Sequence, residues 1–82
     1  MDTYTDKVVL TFHSHYDAVR QRRMLKESGI ESVLVPVPRS LSSSCGTSLL
    51  MDAASYPAAR LIDSLEGAYA FKEGKWSGLP IR

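Results

Sequence analysis

A strand followed at once by a helix start is the feature that most limits the folds open to this chain. Residues 7–13, KVVLTFH, alternate apolar side chains with a period of two, which predicts a β-strand. Ser14 then begins S-H-Y-D, an N-cap followed three positions later by an acidic residue, close to a capping box. This pattern predicts a helix over 15–28, with Gly29 as the left-handed residue after its end. The fold therefore mixes β and α elements from the start.

Three further strands and a second helix are predicted from the rest of the chain. Strands are expected at 30–37, 48–52 and 68–72, which are rich in apolar and β-branched residues. Helix 2 is expected to begin after Ser55 and to end at Gly67. Its apolar residues have the spacing of one helix face: Ala58, Leu61, Ile62 and Leu65.

The order β-α-β-β-α-β in 82 residues matches the split βαβ, or ferredoxin-like, fold. We therefore predict an α+β protein with a four-stranded antiparallel sheet and two helices on one face. Residues 1–82 are expected to form a single domain, with a compact core at about 7–72 and a C-terminal tail at 73–82. Strand 3 is expected between strands 1 and 2. The helix-free sheet face, with Val9 and Thr11, is predicted to form a homodimer or to dock a partner, because a small core gains from added burial.

The single cysteine, Cys45, lies in a short polar segment, P-R-S-L-S-S-S-C-G. A buried structural cysteine is normally surrounded by apolar residues, so the serines before this thiol and the glycine after it indicate a thiol that is presented to solvent. Because neighbouring strands lie about 4.8 Å apart, the sulfur is expected within about 10 Å of the backbone of residues 13–15. The sequence thus predicts Cys45 beside the start of helix 1.

The predicted surroundings of Cys45 favour a thiolate. A helix N-terminus, a nearby cation and free backbone N–H groups each stabilise its negative charge, and a glycine lets the backbone turn those N–H groups toward one anion. The residues expected to support the thiolate are His13, Ser14, Arg39, Ser42, Ser43, Ser44 and Gly46. The alternative is that Cys45 is an inert small side chain and that the serine run is only a flexible loop.

Charge and cysteine content exclude several classes of function. Ten basic and nine acidic residues give a net charge of +1, so no overall field favours nucleic acid or a membrane surface. The basic run at 20–26 is interpreted as a solvated helix face. No run of about 18 apolar residues exists, and the N-terminus lacks a secretory signal. One cysteine and no metal-ligand spacing predict a cytoplasmic protein without metal or other cofactor.

Three motifs resemble those of a family of short bacterial selenium/sulfur carrier-like proteins. They are T-F-H-S at 11–14, P-x-P-R at 36–39 and S-S-S-C-G at 42–46, and the resemblance covers about residues 7–71. It implies that Cys45 is the carrier residue, in a setting made by Arg39, the three serines and Gly46. The first helix has more arginine than is typical of the family, and the chain after Lys72 has no family motif.

Three functions are compatible with these features. The first is a carrier, rather than an independent enzyme, that holds S⁰ or Se⁰ on Cys45 as a persulfide or selenopersulfide between a donor protein and an acceptor protein. The second is a non-covalent anion-binding or regulatory module that uses the serine-rich loop. The third is a thiol enzyme with His13 or His15 as general base. Because there is no second cysteine, transfer from Cys45 must be intermolecular.

Overall fold

A five-stranded antiparallel sheet forms the centre of the structure, a computed structural model that describes residues 5–41 and 43–80. The elements in chain order are β1 (Lys7–Phe12), α1 (His15–Glu27), β2 (Ser32–Pro36), β3 (Thr47–Asp52), a 3₁₀ helix (Ala53–Ala58), β4 (Leu65–Lys72) and β5 (Lys75–Gly78). The strand order is β2-β3-β1-β4-β5, and every neighbouring pair is antiparallel. The protein is therefore α+β, with an antiparallel sheet and two helices.

The start and end of α1 are where the sequence predicts them. The Ser14 hydroxyl accepts a hydrogen bond from the backbone N–H of Asp17 at 3.2 Å, so Ser14 is the N-cap. Gly29 has a φ of +79°, the left-handed conformation that commonly follows a helix. Local capping chemistry thus determines how the chain leaves β1 and where α1 stops.

The position of β3 between β1 and β2 is also confirmed. Thr11 of β1 pairs with Ser48 of β3, and Val35 of β2 pairs with Ser48 from the other side. In this register the segment that precedes β3 lies beside the end of β1. The fold therefore brings the cysteine-containing loop to the start of α1.

The prediction of a four-stranded sheet is wrong, because the chain after β4 turns back and adds β5. Glu73 and Gly74 have positive φ values of 51° and 77°, as a two-residue type I′ hairpin requires. Trp76, predicted in a tail, lies on β5 and packs edge to face on Phe71 with ring centroids 4.9 Å apart. With five strands in the sheet, the ferredoxin-like assignment stays a prediction.

The second helix is a short 3₁₀ helix, not the amphipathic α-helix predicted over 55–67. The chain is already extended at Ala59, with φ −73° and ψ 134°. The fully buried side chain of Gln21 then binds the next segment: its Nε2 donates to the Arg60 carbonyl at 2.8 Å, and its Oε1 accepts from the Ile62 N–H at 2.9 Å. This tertiary contact supplies hydrogen bonds that a second α-helix would have made internally.

The apolar core lies between α1 and one face of the sheet. It contains alternate residues of β1 and β3 packed against the buried side of α1, and residues of the 3₁₀ helix pack against the same cluster: Val8, Leu10, Phe12, Leu49, Met51, Ala18, Leu25, Ala53 and Tyr56. Within residues 5–41 and 43–80, no helix is long and apolar enough to cross a membrane.

The helix-free face of the sheet is less exposed to solvent than the alternation of side chains along β1 predicts. Val9 and Thr11 are fully buried. A Cβ added at Gly67 would lie 2.9 Å from the Tyr69 ring and 3.0 Å from Thr11 Oγ1, so the Tyr69 ring leans over this part of the face. Val33, which shares the face through its pairing with Leu50, is 58% exposed.

A homodimer through the helix-free face stays a prediction. We expect sedimentation equilibrium to detect a dimer at high protein concentration, because a small core gains from burial of exposed apolar surface. A monomer at every concentration would contradict it.

Candidate functional site

The loop between β2 and β3 is folded onto the end of β1. The Val37 N–H donates to the Gly46 carbonyl at 3.1 Å and joins the two sides of the loop. Gly46 has a φ of +74°, the left-handed conformation that its glycine favours. The Ser43 hydroxyl donates to the Phe12 carbonyl at 3.0 Å. These bonds hold the segment around Cys45 beside the last residue of β1.

The Cys45 thiol is free and partly buried, with its side chain packed against the edge of the core. The Thr47 N–H donates to Sγ at 3.4 Å, and in the thiol form Sγ can donate to the Thr47 carbonyl, also at 3.4 Å. A backbone N–H directed at sulfur stabilises a thiolate, whereas the carbonyl accepts the proton of a thiol. Cys45 is thus more enclosed than the polar sequence around it suggests.

The two histidines flank Ser14, the N-cap of α1, and His15 is the first residue of the helix. His15 Nδ1 is 3.4 Å from Thr47 Oγ1, so it contacts the residue that binds the sulfur. His13 Nδ1 is 3.6 Å from Glu66 Oε2. In the described part of the chain, no hydrogen bond joins either imidazole to Cys45 Sγ. The histidines border the site without forming a Cys–His pair.

Two other predicted site residues have separate roles in the structure. Ser14 caps α1 through its bond from Asp17. Arg39 is exposed on a turn in which the Leu41 N–H donates to the Pro38 carbonyl at 2.9 Å. Among residues 5–41 and 43–80, its side chain has no ion pair with the site. Ser42 lies outside the described residues, so its role stays a prediction.

Glu66 is part of this site, and the sequence analysis missed it. The Ser44 hydroxyl donates to Glu66 Oε2 at 2.6 Å, and the Ser44 N–H donates to the same carboxylate at 3.2 Å. The pairing of β1 with β4 shifts at this point, since Thr11 pairs with Gly67 and Phe12 with Leu65. Glu66 is therefore the extra residue of a β-bulge, and its carboxylate is bound by the loop.

A family model described as "Putative Se/S carrier protein-like" matches residues 7–63. The chain belongs to this family. The match contains the serine segment and Cys45, which confirms the resemblance carried by the three motifs, and it ends before Glu66. Searches of the curated proteins and of the solved structures each gave no match.

In this family member, the anion that the serine loop binds is the protein's own Glu66 carboxylate. Burial raises the pKa of Glu66, but hydrogen bonds from the hydroxyl and the backbone N–H of Ser44, together with the charge of His13, outweigh burial and hold the pKa below its ordinary value. The carboxylate is therefore ionised at neutral pH. It occupies the Ser44 donors that an external anion would need. No group of three metal-ligating side chains occurs among the described residues.

Proposed function

We propose that this chain carries S⁰ or Se⁰ on Cys45 between a donor protein and an acceptor protein. The observation that supports this is a free thiol on the S-S-S-C-G segment, bonded to a backbone N–H, within the range matched by the family. Because the chain has one cysteine, it cannot release its cargo by forming an internal disulfide. The carried atom must leave to another molecule.

Loading is a displacement at the outer sulfur of a persulfide on the donor cysteine, as a cysteine desulfurase would present it. The Cys45 thiolate attacks that sulfur, a new S–S bond forms, and the S–S bond of the donor breaks. The electron pair of the broken bond leaves on the donor thiolate, while the transferred sulfur keeps its proton. The step needs no external oxidant or reductant. Unloading is the same displacement, with an acceptor thiolate as nucleophile and Cys45 as leaving group.

Both displacements place negative charge on Cys45 Sγ, once as nucleophile and once as leaving group. The Thr47 N–H, 3.4 Å from the sulfur, is positioned to stabilise that charge in each step. The bonds of Ser43 and Ser44 to the sheet hold the segment that presents the sulfur. A cytoplasmic location belongs to this proposal, since a reducing compartment keeps a single thiol free.

The other two hypotheses have less support. A non-covalent anion site would use the donors of the serine loop, but Ser44 directs its N–H and hydroxyl to Glu66. A thiol enzyme would need an imidazole bonded to the thiol, but His15 contacts Thr47 and His13 faces Glu66. We therefore prefer covalent carriage without independent turnover.

Cyanide release of sulfur tests the proposal. The protein is incubated with a cysteine desulfurase and L-cysteine, separated by gel filtration, and treated with cyanide, which removes an outer persulfide sulfur as thiocyanate. We expect thiocyanate in an amount equal to the protein. A yield no greater than that of protein incubated without desulfurase would contradict carriage.

Arg39→Ala should slow the reaction of Cys45 with iodoacetamide about twofold to threefold at low salt, since an exposed charge contributes under about 1 kcal/mol. The effect should disappear near 1 M salt, where the Debye length is about 3 Å. Arg23→Ala, an exposed arginine on α1, is the matched control and should leave the rate unchanged. An Arg39→Ala rate equal to wild type at low salt would exclude Arg39 from supporting the thiolate.

A further inference from the structure

The carboxylate of Glu66 joins three parts of the chain that are far apart in sequence. It accepts from the Ser44 hydroxyl at 2.6 Å and from the Ser44 N–H at 3.2 Å, across 22 positions of the chain. His13, after β1, brings its Nδ1 within 3.6 Å of the same oxygen. The side chain of Glu66 is only 21% exposed, whereas that of His13 is 59% exposed. The carboxylate is thus the more enclosed member of this cluster.

The bulge in β4 is what makes this contact available. Glu66 is unpaired in the β1–β4 ladder, because Gly67 and Leu65 take the positions opposite consecutive residues of β1. A β-bulge redirects a side chain that regular pairing would place elsewhere. Here it directs a carboxylate to Ser44, the residue immediately before Cys45.

We propose that Glu66 is a positioning residue for Cys45, whose carboxylate fastens Ser44 to the bulge and so fixes the segment that presents the thiol. The functional consequence of this inference rests on the proposed carriage. The contact between Ser44 and Glu66 itself does not depend on whether Cys45 carries sulfur or selenium. Ser43, bonded to the Phe12 carbonyl, fixes the same segment from the β1 side. Together the two serines fasten the segment to neighbouring strands, and Glu66 supplies the charged contact.

The contact between Ser44 and Glu66 depends on the ionised form of the Glu66 carboxylate. The groups that face its carboxylate are the N–H and hydroxyl of Ser44 and the imidazole of His13, all of which favour the charged form. Because the pKa of Glu66 is lowered in the folded chain, the contribution of this contact is fully present above the ordinary glutamate range, about 4.3. It is lost as the pH falls through the lower folded value.

Two substitutions at position 66 separate the charge of the carboxylate from its reach. Glu66→Gln keeps the length and removes the charge, while Glu66→Asp keeps the charge and shortens the reach. We expect both to lower the backbone ¹⁵N order parameters of residues 43–46 from the rigid value of about 0.85 toward 0.6. Both should slow loading from a cysteine desulfurase about tenfold, within the range that misplacing a reacting group costs. If Glu66 acted on Cys45 only through its negative charge, Glu66→Gln would instead favour the thiolate and load faster than the wild type.

An NMR titration of the Ser44 amide tests the role of ionised Glu66 directly. The Ser44 resonance should shift in acid in the wild type and in the control Glu31→Gln, which changes an exposed acid just before β2, but not in Glu66→Gln. Unchanged order parameters at 43–46 in both position-66 variants would overturn the inference, whatever the loading result. If the wild type does not load at all, carriage fails, while the order parameters still decide the role of Glu66.

Discussion

Cys45→Ser should abolish sulfur loading and leave the fold intact. A serine hydroxyl has nearly the shape of the thiol, but it is not ionised at neutral pH and cannot form the S–S bond that holds the cargo. The contacts of position 45 with Thr47 are a backbone donor and a backbone acceptor, both of which a hydroxyl can use. We therefore expect no thiocyanate after loading and cyanide treatment, with a loss of stability of about 1 kcal/mol or less.

Ser77→Ala is the matched control for this variant, because it removes an exposed hydroxyl on β5, away from the end of β1 where the cysteine loop lies. It should load to the wild-type stoichiometry. Calorimetric titration with sulfate separates the anion-binding hypothesis: a non-covalent site would bind equally well in Cys45→Ser and in wild type. Thiocyanate from the Cys45→Ser protein at the wild-type level would show that another group carries the sulfur.

Gln21→Ala should reduce the free energy of unfolding by about 2–4 kcal/mol. Gln21 is fully buried on α1 and makes two hydrogen bonds to the segment between the 3₁₀ helix and β4. Its removal leaves the buried Ile62 N–H without a partner, at about 1–3 kcal/mol. It also breaks the partly buried bond to the Arg60 carbonyl and opens a cavity. A small domain has roughly 5–15 kcal/mol in total, so this loss is a large fraction.

Urea unfolding followed by circular dichroism measures this effect. Arg23→Ala, an exposed position on the same helix, should change the stability by only about 0.5 kcal/mol. Equal midpoints for the two variants would mean that Gln21 does not hold the loop, and that another interaction keeps residues 59–64 out of a helix.

The parts of the fold that the sequence predicts well are those specified by neighbouring residues. The alternation over 7–13 marks β1, Ser14 caps α1, and Gly29 follows its end. The placement of the cysteine loop beside α1 also follows, because strand order and capping are enough to bring those segments together. The predicted strand order, together with the local capping of α1, therefore accounts for where Cys45 lies.

The second helix is mispredicted because a distant side chain decides the conformation. Ile62 and Leu65 are buried, as the helical pattern requires, but Ile62 donates to a glutamine 41 positions away and Leu65 pairs with Phe12. Spacing alone cannot separate these contacts from one helix face. Helix propensity predicts structure only weakly, and tertiary contacts such as these override it.

Two other features depend on pairings that a single segment does not reveal. Glu66 reaches Ser44 only because β4 is bulged against β1, and nothing near position 66 marks a bulge except Gly67. The turn at Glu73 and Gly74 is a hairpin whose E-G sequence is a weaker signal than N-G or D-G. Both features lie in the last third of the chain, where the predicted helix 2 and tail were wrong.

Intact mass of the wild-type protein tests the central claim most directly. After incubation with a cysteine desulfurase and L-cysteine, the protein should gain the mass of a single sulfur atom, and a reductant should remove it. Peptide mapping after alkylation should place the added mass on the peptide that contains Cys45. A protein whose mass is unchanged by the desulfurase, or whose added mass lies on a peptide without Cys45, would contradict carriage on this thiol.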